Sequence, residues 1–579
     1  MNITEGFTPV KRFFQLLKVE KQEIMSIYVF ALFSGVINLS LPLGIQAIVG
    51  IMTGGQVSTS WIVLIILVIA GIAFVGVLQI MQLTITENLQ QKIFTRSAFE
   101  FAYRIPRFSL EKVDKLYVPE LVNRFFDTLS VQKGLSKIIM DFSTATLQII
   151  FGLILLSVYH PFFIMFSLML LLFIFLIFRF TAARGMRTSL VESKYKYEVA
   201  HWLEELARAM GTFKLAGNTP LPLSKTNDRV VGYLKSRKEH FKTLRIQFIN
   251  LVVFKVVVAA GLLAIGGMLV LNQQMNIGQF VAAEIIIILV LASVEKLITS
   301  METIYDVLTA LEKIGYVTDI PLEKDSGINP EMDEERPDKE GVEVNISQLT
   351  YSFPEGRVPV LKDINLHLRS GEKICLSGFN ESGKSVLLQL IAALYDTYDG
   401  AITYNGIPLG NWNKEQLRNH IGDCLSKEDV FQGTIMENIS VGKPYVTLLD
   451  VQHAAAVVGL DSFVETLKEG YNTMLISEGK TLPRSIRLKI MLARSIAMRP
   501  GLIMLEDNFN LLSLDDKKRF LDYVLDKDKP WSVIVVSNDS RVAERFNRVV
   551  IMKSGTIVEE INGKKCKESK WFNKVVQSC

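Results

Sequence analysis

Cysteine and histidine are scarce in this chain, with 4 and 6 copies in 579 residues. Cys375, Cys424, Cys566 and Cys579 all lie in the second half and none has metal-ligand spacing, so neither a metal centre nor a disulfide framework is expected. The last histidine is His453. Excess charge is also missing: the formal net charge is +4, and nothing in the balance points to nucleic acid. No cleavable signal is expected, because the first 24 residues are mixed and charged and the first apolar run is of spanning length. No internal repeat or low-complexity tract stands out. What the first half lacks most is charge itself, since almost all the long uncharged runs fall before about residue 300.

What is present is apolar. Hydrophobic residues make up 49% and mean hydropathy is +0.29, above the range of an ordinary soluble protein. Six runs, near 25–50, 61–84, 138–159, 161–182, 247–271 and 277–300, can each cross a hydrocarbon layer of about 30 Å. The connections after the first, third and fifth are short and carry no Lys or Arg. Those after the second and fourth are long, basic and helical in pattern, as in "NLQQKIFTRSAFEFAYRI" and "LKSRKEHFKTLR". The positive-inside rule puts both termini and both long connections in the cytoplasm. We read residues 1–318 as a membrane domain whose helices continue into cytoplasmic legs. Residues 319–341 are an acidic linker, and 342–579 an α/β domain with short β-branched strands between helices. Inside the spans, Lys255 is expected to snorkel toward the cytoplasm, Asp141 to be interfacial, and Glu284 to line a cavity.

The α/β domain carries "KICLSGFNESGKSVLLQLIAAL", a complete G-x-x-x-x-G-K-S placed between an apolar strand and an amphipathic helix. Its loop residues Gly378, Phe379, Asn380, Glu381, Ser382, Gly383, Lys384 and Ser385 form a phosphate cradle, with Lys384 for the β/γ-phosphates and Ser385 for Mg²⁺. ATP and Mg²⁺ are the expected ligands.

Six spans, two legs, a linker and this domain together resemble a half-transporter of the ABC exporter family over nearly the whole chain. "LTYSFPEGRVPVLKDINLHLRSGEK", "IGDCLSKEDVFQGTIMENI", "KIMLARSIAMRPGLIMLED" and "WSVIVVSNDSRVAERFNRVVIMKSGTIVEE" resemble successive segments of the family's nucleotide domain. The implied fold is a polytopic α-helical membrane domain followed by a P-loop ABC nucleotide-binding domain. Phe353 falls where the family stacks an aromatic on adenine. The resemblance further implies a second half-transporter, the same chain or another, that closes two ATP sites, together with membrane lipid and a periplasmic adaptor. The implied location is a bacterial cytoplasmic membrane. "NIGQFVAAEIII" most resembles exporters of peptides, toxins or proteins, and no leader-peptidase domain is expected before the first span.

Four positions depart from that family. Its glutamine falls on Ser426, its L-S-G-G-Q signature on Leu482, Pro483, Arg484, Ser485 and Ile486, its metal aspartate and catalytic glutamate on Glu506 and Asp507, and its histidine on Asn538. Pro483 has no N–H, and loss of both signature glycines blocks close backbone approach to a phosphate. Asp507 is one methylene short of a glutamate, and misplacement on that scale costs on the order of 100-fold in rate. Asn538 can donate a hydrogen bond but carries no charge. The expected result is a chain that binds ATP and hydrolyses it poorly. Two alternatives are a nucleotide-gated regulator or scaffold that transports nothing, and an active homodimer in which Glu506 and Asp507 exchange roles.

Overall fold

The structure, a computed structural model, describes residues 8–53, 59–114, 116–324, 327–328, 341–354, 356, 358–425, 430–506 and 509–578. Two compact units emerge: Met1–Arg107 with Lys115–Ile320, and Phe108–Asp114 with Pro321–Cys579. The second unit therefore takes seven residues from within the first long connection.

In the first unit, six stretches among the described residues are helical, long and apolar enough to cross a membrane: Lys21–Met52, Thr59–Arg107, Val118–Tyr159, Phe162–Arg208, Leu221–Leu271 and Ile277–Thr318. The first is broken at Leu39, between the helices Lys21–Asn38 and Ser40–Thr53. The expected legs are direct continuations: Thr59–Arg104 is one helix of 46 residues and Phe162–Arg208 one of 47, about 70 Å each at 1.5 Å per residue. Helix Ile277–Thr318 starts at a capping box in which Asn276 and Gln279 satisfy each other's backbone amides. It packs along helix Asp127–Tyr159, where small residues permit close approach. A Cβ on Gly134 would stand 2.3 Å from Val307, and one on Gly152 would stand 2.8 Å from Val290.

Two of the charges in the spans are paired across helices. The Lys255 ammonium lies 2.5 Å from Glu295 of the neighbouring helix. Asp141 is buried, 2.9 Å from Lys296 Nζ, and accepts from Ser300 Oγ at 3.2 Å.

The second unit contains β1 (Val344–Tyr351), β2 (Leu361–Leu368), β3 (Lys373–Gly378), β4 (Asp399–Tyr404), β5 (Ile407–Pro408) and β6 (Ile421–Cys424). After these come β7 (Gly433–Thr434), β8 (Met474–Leu475), β9 (Leu502–Glu506), β10 (Ser532–Val536), β11 (Arg548–Lys553) and β12 (Thr556–Ile561). An antiparallel sheet of order β2-β1-β4-β5 adjoins a six-stranded sheet of order β12-β11-β3-β10-β9-β6. The last five strands of that order run parallel, with Leu376 opposite Val536 and Val536 opposite Glu506. The carboxyl ends of β3, β10 and β9 are thus level, and such ends form the ligand crevice of open α/β sheets. Strands β9 and β10 are buried throughout, as continuous apolar runs with helices on both faces should be. Segment Phe108–Asp114 is held in this unit by a bridge from Phe108 to Leu322 and by Glu111. The Glu111 carboxylate accepts from the amides of Asp396 and Thr397 at 2.7 Å and from Thr397 Oγ1 at 2.8 Å. Cys375, Cys424 and Cys566 are buried and form no disulfide among the described residues.

Candidate functional site

Strand β3 ends at Gly378, and helix Lys384–Ile391 begins after Gly383 in the left-handed region, at φ 93°. Both glycines are sterically required. A Cβ on Gly378 would stand 2.3 Å from the Met552 carbonyl oxygen, and one on Gly383 would stand 2.6 Å from Leu361 Cδ2. Lys384 Nζ lies across the loop, donating to Gly378 O at 2.9 Å, Phe379 O at 2.7 Å and Ser382 Oγ at 3.2 Å. Ser382 is buried, while Asn380 and Ser385 are exposed. This folded-back lysine and the helix start are the parts of an anion cradle.

One feature of the loop escaped the reading of the motif. Glu381 occupies the left-handed region at φ 61° and is exposed. A branchless residue would take that conformation at no cost, and an acid beside a phosphate cradle opposes the ligand's charge. The signal was visible as an acidic residue within the four free positions of G-x-x-x-x-G-K-S.

Glu506 closes β9 and is 9% exposed, with Oε1 lacking any hydrogen-bond partner among the described residues. A buried, uncompensated carboxylate oxygen is costly, and a cation held between it and the Ser385 hydroxyl would remove the deficit. The donor set, one carboxylate and one hydroxyl, suits Mg²⁺, which usually keeps several waters. Asp507 and Ser426 lie outside the described residues.

Asn538 follows β10 by two residues and imitates a peptide. Its Oδ1 accepts from Gly378 N–H at 3.1 Å and from Ser377 Oγ at 2.9 Å, while its Nδ2 donates to Gly378 O at 3.1 Å. The Asn538 side chain, expected at the position of the family's histidine, therefore braces the base of the phosphate loop. Asp539 next to it caps helix Ser540–Ala543. Burial would push its carboxyl up, but hydrogen bonds from Arg541 and Lys517 outweigh that and hold it at about 2.

The signature positions lie at the start of helix Arg484–Ala497. Pro483 is the N-cap, at φ −54° and ψ 147°, and has no side-chain cap bond. Its carbonyl accepts from Ile486 N at 3.0 Å and Arg487 N at 3.1 Å, so the amides of Arg484 and Ser485 open the helix. The exposed Arg484 and the half-buried Arg487 are in a first turn without acids, the sign that opposes the helix dipole. Phe353 is half-buried and packs edge-on against Tyr351 and Tyr395, with ring centroids at 5.3 and 6.0 Å. Glu284 is half-buried.

Comparison with known proteins agrees with this geometry. Residues 24–294 match the ABC transporter transmembrane region family, and residues 361–510 match the ABC transporter family. The alpha-hemolysin translocation ATP-binding protein HlyB of Escherichia coli O157:H7 is 28% identical over 363 residues, covering 62% of this chain and 50% of that protein. The transport/processing ATP-binding protein ComA of Streptococcus pneumoniae is 26% identical over 457 residues, covering 76% of this chain and 61% of that protein. The chain thus spans between half and two thirds of these relatives' length. The solved structure of a bacterial Atm1-family ABC exporter with ATP bound superposes with a TM-score of 0.84, covering 96% of this chain and 98% of that one, at 14% identity. A membrane region of six apolar helical stretches, fused to a P-loop α/β domain of matching topology, makes this chain a member of the ABC transporter family.

Proposed function

We propose that this chain is the ATP-binding subunit of an exporter in a bacterial cytoplasmic membrane, with both termini cytoplasmic, and that its own hydrolysis is impaired. Relatives named for haemolysin translocation and for transport and processing support export of peptide, toxin or protein cargo. Phe353 would stack on adenine, the loop amides and Lys384 would bind the phosphates, and Ser385 with Glu506 would hold Mg²⁺. Bound Mg²⁺ neutralises phosphate charge. The observation that carries the reading is the Asn538 clamp. A neutral amide already engaged with Ser377 and Gly378 stabilises the loop and supplies no positive charge to a γ-phosphate. A second half-transporter with intact motifs would complete the assembly, with a periplasmic adaptor beyond it. Steady-state Mg·ATP turnover by the purified chain in lipid, with Lys384→Ala as the blank, tests this. Turnover at the blank with ATP still bound is expected, and turnover well above it would overturn the claim of impairment.

A second reading has one observation in its favour. Glu506 Oε1 has no hydrogen-bond partner among the described residues and so is available to act as a base, in which case Glu506 and Asp507 exchanging roles would give an active enzyme. The same assay separates the two readings.

A further inference from the structure

Three helices of the first unit, Asp127–Tyr159, Phe162–Arg208 and Ile277–Thr318, enclose a cavity of about 200 Å³. Drug-sized ligands fill roughly 300–1,000 Å³, so this one takes a single side chain or a small head group. Its lining is almost all oxygen: the carboxylates of Asp127, Glu192 and Asp306, and the hydroxyls of Ser189, Ser193 and Thr309, with Lys196 as its cation.

Most of these groups are already matched. Asp127 accepts from Tyr197 OH and is 3.7 Å from Lys196 Nζ, which also lies 5.2 Å from the Tyr197 ring. Glu192 is 3.3 Å from Arg237, which is shared with Glu302 at 3.6 Å. Ser189 and Thr309 bond to each other at 2.8 Å. Two groups remain. Asp306, at the exposed rim, has no ion pair or hydrogen bond among the described residues. Ser193 is 7% exposed, and its Oγ has no partner. Ser157, Thr181 and Ser236 bond the carbonyl four residues back at 2.7–3.0 Å, whereas Thr86, Thr128, Ser136 and Ser167, like Ser193, have no partner among the described residues; of these five, Ser193 alone lines this cavity. Ser193 forgoes that bond and lines the cavity instead. A buried hydroxyl left without a partner costs free energy that a donor from a ligand would return.

The surplus of acceptors and negative charge excludes an anion. A metal ion is also a poor fit, since among the described residues no three His, Cys, Asp or Glu side chains gather closely enough to share one. We propose that the cavity binds a primary ammonium group on a flexible aliphatic chain, such as a lysine side chain of a peptide cargo, with Ser193 and Asp306 as its acceptors. The bearer's identity as cargo rests on the export reading above; the cation site does not. On the proposed orientation, Ser189 and Asp306 lie about 10 Å beyond the expected cytoplasmic ends of their spans, where a cargo would arrive.

The test uses the full chain in lipid nanodiscs without nucleotide and saturation-transfer NMR of Nα-acetyl-lysine amide. The Nε-acetylated analogue serves as the neutral probe. Transfer to the lysine ε-methylene is expected with the charged probe, at least fivefold less with the neutral one, and at least fivefold less in both Asp306→Asn and Ser193→Ala. Asp306→Glu should retain most of the signal, and unchanged thermal melting verifies that each variant is folded. No transfer in the wild type, equal transfer from both probes, or full signal in both variants would each overturn the site. Binding that passes these controls in a chain that exports nothing would leave the site standing and remove only the export reading.

Discussion

Replacing Glu381 separates two effects that the phosphate loop combines. At φ 61° a residue with a Cβ carries roughly 1–2 kcal/mol of left-handed strain. Glycine removes it but loses roughly 0.5–1 kcal/mol more backbone entropy on folding. That balance is the same with and without nucleotide, so it appears in the melting temperature and not in affinity. The charge acts on affinity. Glu381 is three residues from Lys384, so their Cα atoms lie within about 10 Å of each other, and about 10 Å is taken as the range from its carboxylate to the ligand charge. At that range, with an effective dielectric constant of about 40–80, each unit of ligand charge is repelled by about 0.4–0.8 kcal/mol. For a Mg-nucleotide of net charge near −2 this predicts roughly four- to fifteenfold tighter binding once the acid is gone. Glu381→Gln removes the charge and keeps the strain, while Glu381→Gly removes both. Titration of a fluorescent ATP analogue should therefore give equal affinity gains in the two variants, with a higher melting temperature only in the glycine one. The gain should be largest near 20 mM salt and shrink toward 0.5 M as the Debye length falls. If neither variant binds more tightly than wild type at low salt, Glu381 does not oppose the ligand and this reasoning is wrong.

Four further outcomes follow from the same geometry. Lys384→Ala should abolish nucleotide binding in a direct affinity assay, because the loop's one ammonium is lost. Asp507→Ala should change turnover by less than tenfold, since an aspartate is one methylene shorter than the glutamate the chemistry calls for; a larger drop would support the active-enzyme reading. Asn538→Ala should destabilise the nucleotide unit by about 1–3 kcal/mol in urea melts, because it takes the acceptor from the Gly378 amide. Asn538→His should not restore full stability or turnover. Glu111 gives a pH signature. Burial would raise its carboxyl, but three donors from Asp396 and Thr397 prevail and hold it below its ordinary value of 4.5. Its contribution is therefore complete above pH 4.5 and is lost as pH falls through the lowered value. Glu111→Gln should flatten that part of the stability–pH curve.

The membrane helices and the phosphate loop were legible because each leaves a periodic or strictly spaced trace. An uncharged run of spanning length has few alternatives, and a helix that continues past the bilayer keeps its pattern without Gly or Pro breaks, as in Thr59–Arg104. The loop glycines follow from sterics that act within a few residues. Pairings distant in sequence were not legible. Lys255 pairs with Glu295 on the next long helix, and Asp141 meets Lys296 and Ser300 across 155 and 159 positions of chain. The break at Leu39 within the first span went unseen because both halves are equally apolar. At Asn538 the sequence revealed which charge had gone. It could not reveal that the amide had become a brace for Gly378, because that depends on strand register.

The seven residues Phe108–Asp114 have a consequence for anyone cutting the gene. The nucleotide unit is not a contiguous piece of sequence: Leu322 finds its bridge partner, and Thr397 its carboxylate, in a segment encoded more than 200 codons upstream. A fragment starting at Pro321 would leave the Asp396 and Thr397 donors without Glu111. Supplying the missing heptapeptide in trans, or grafting it ahead of Pro321, is the more faithful way to isolate the unit.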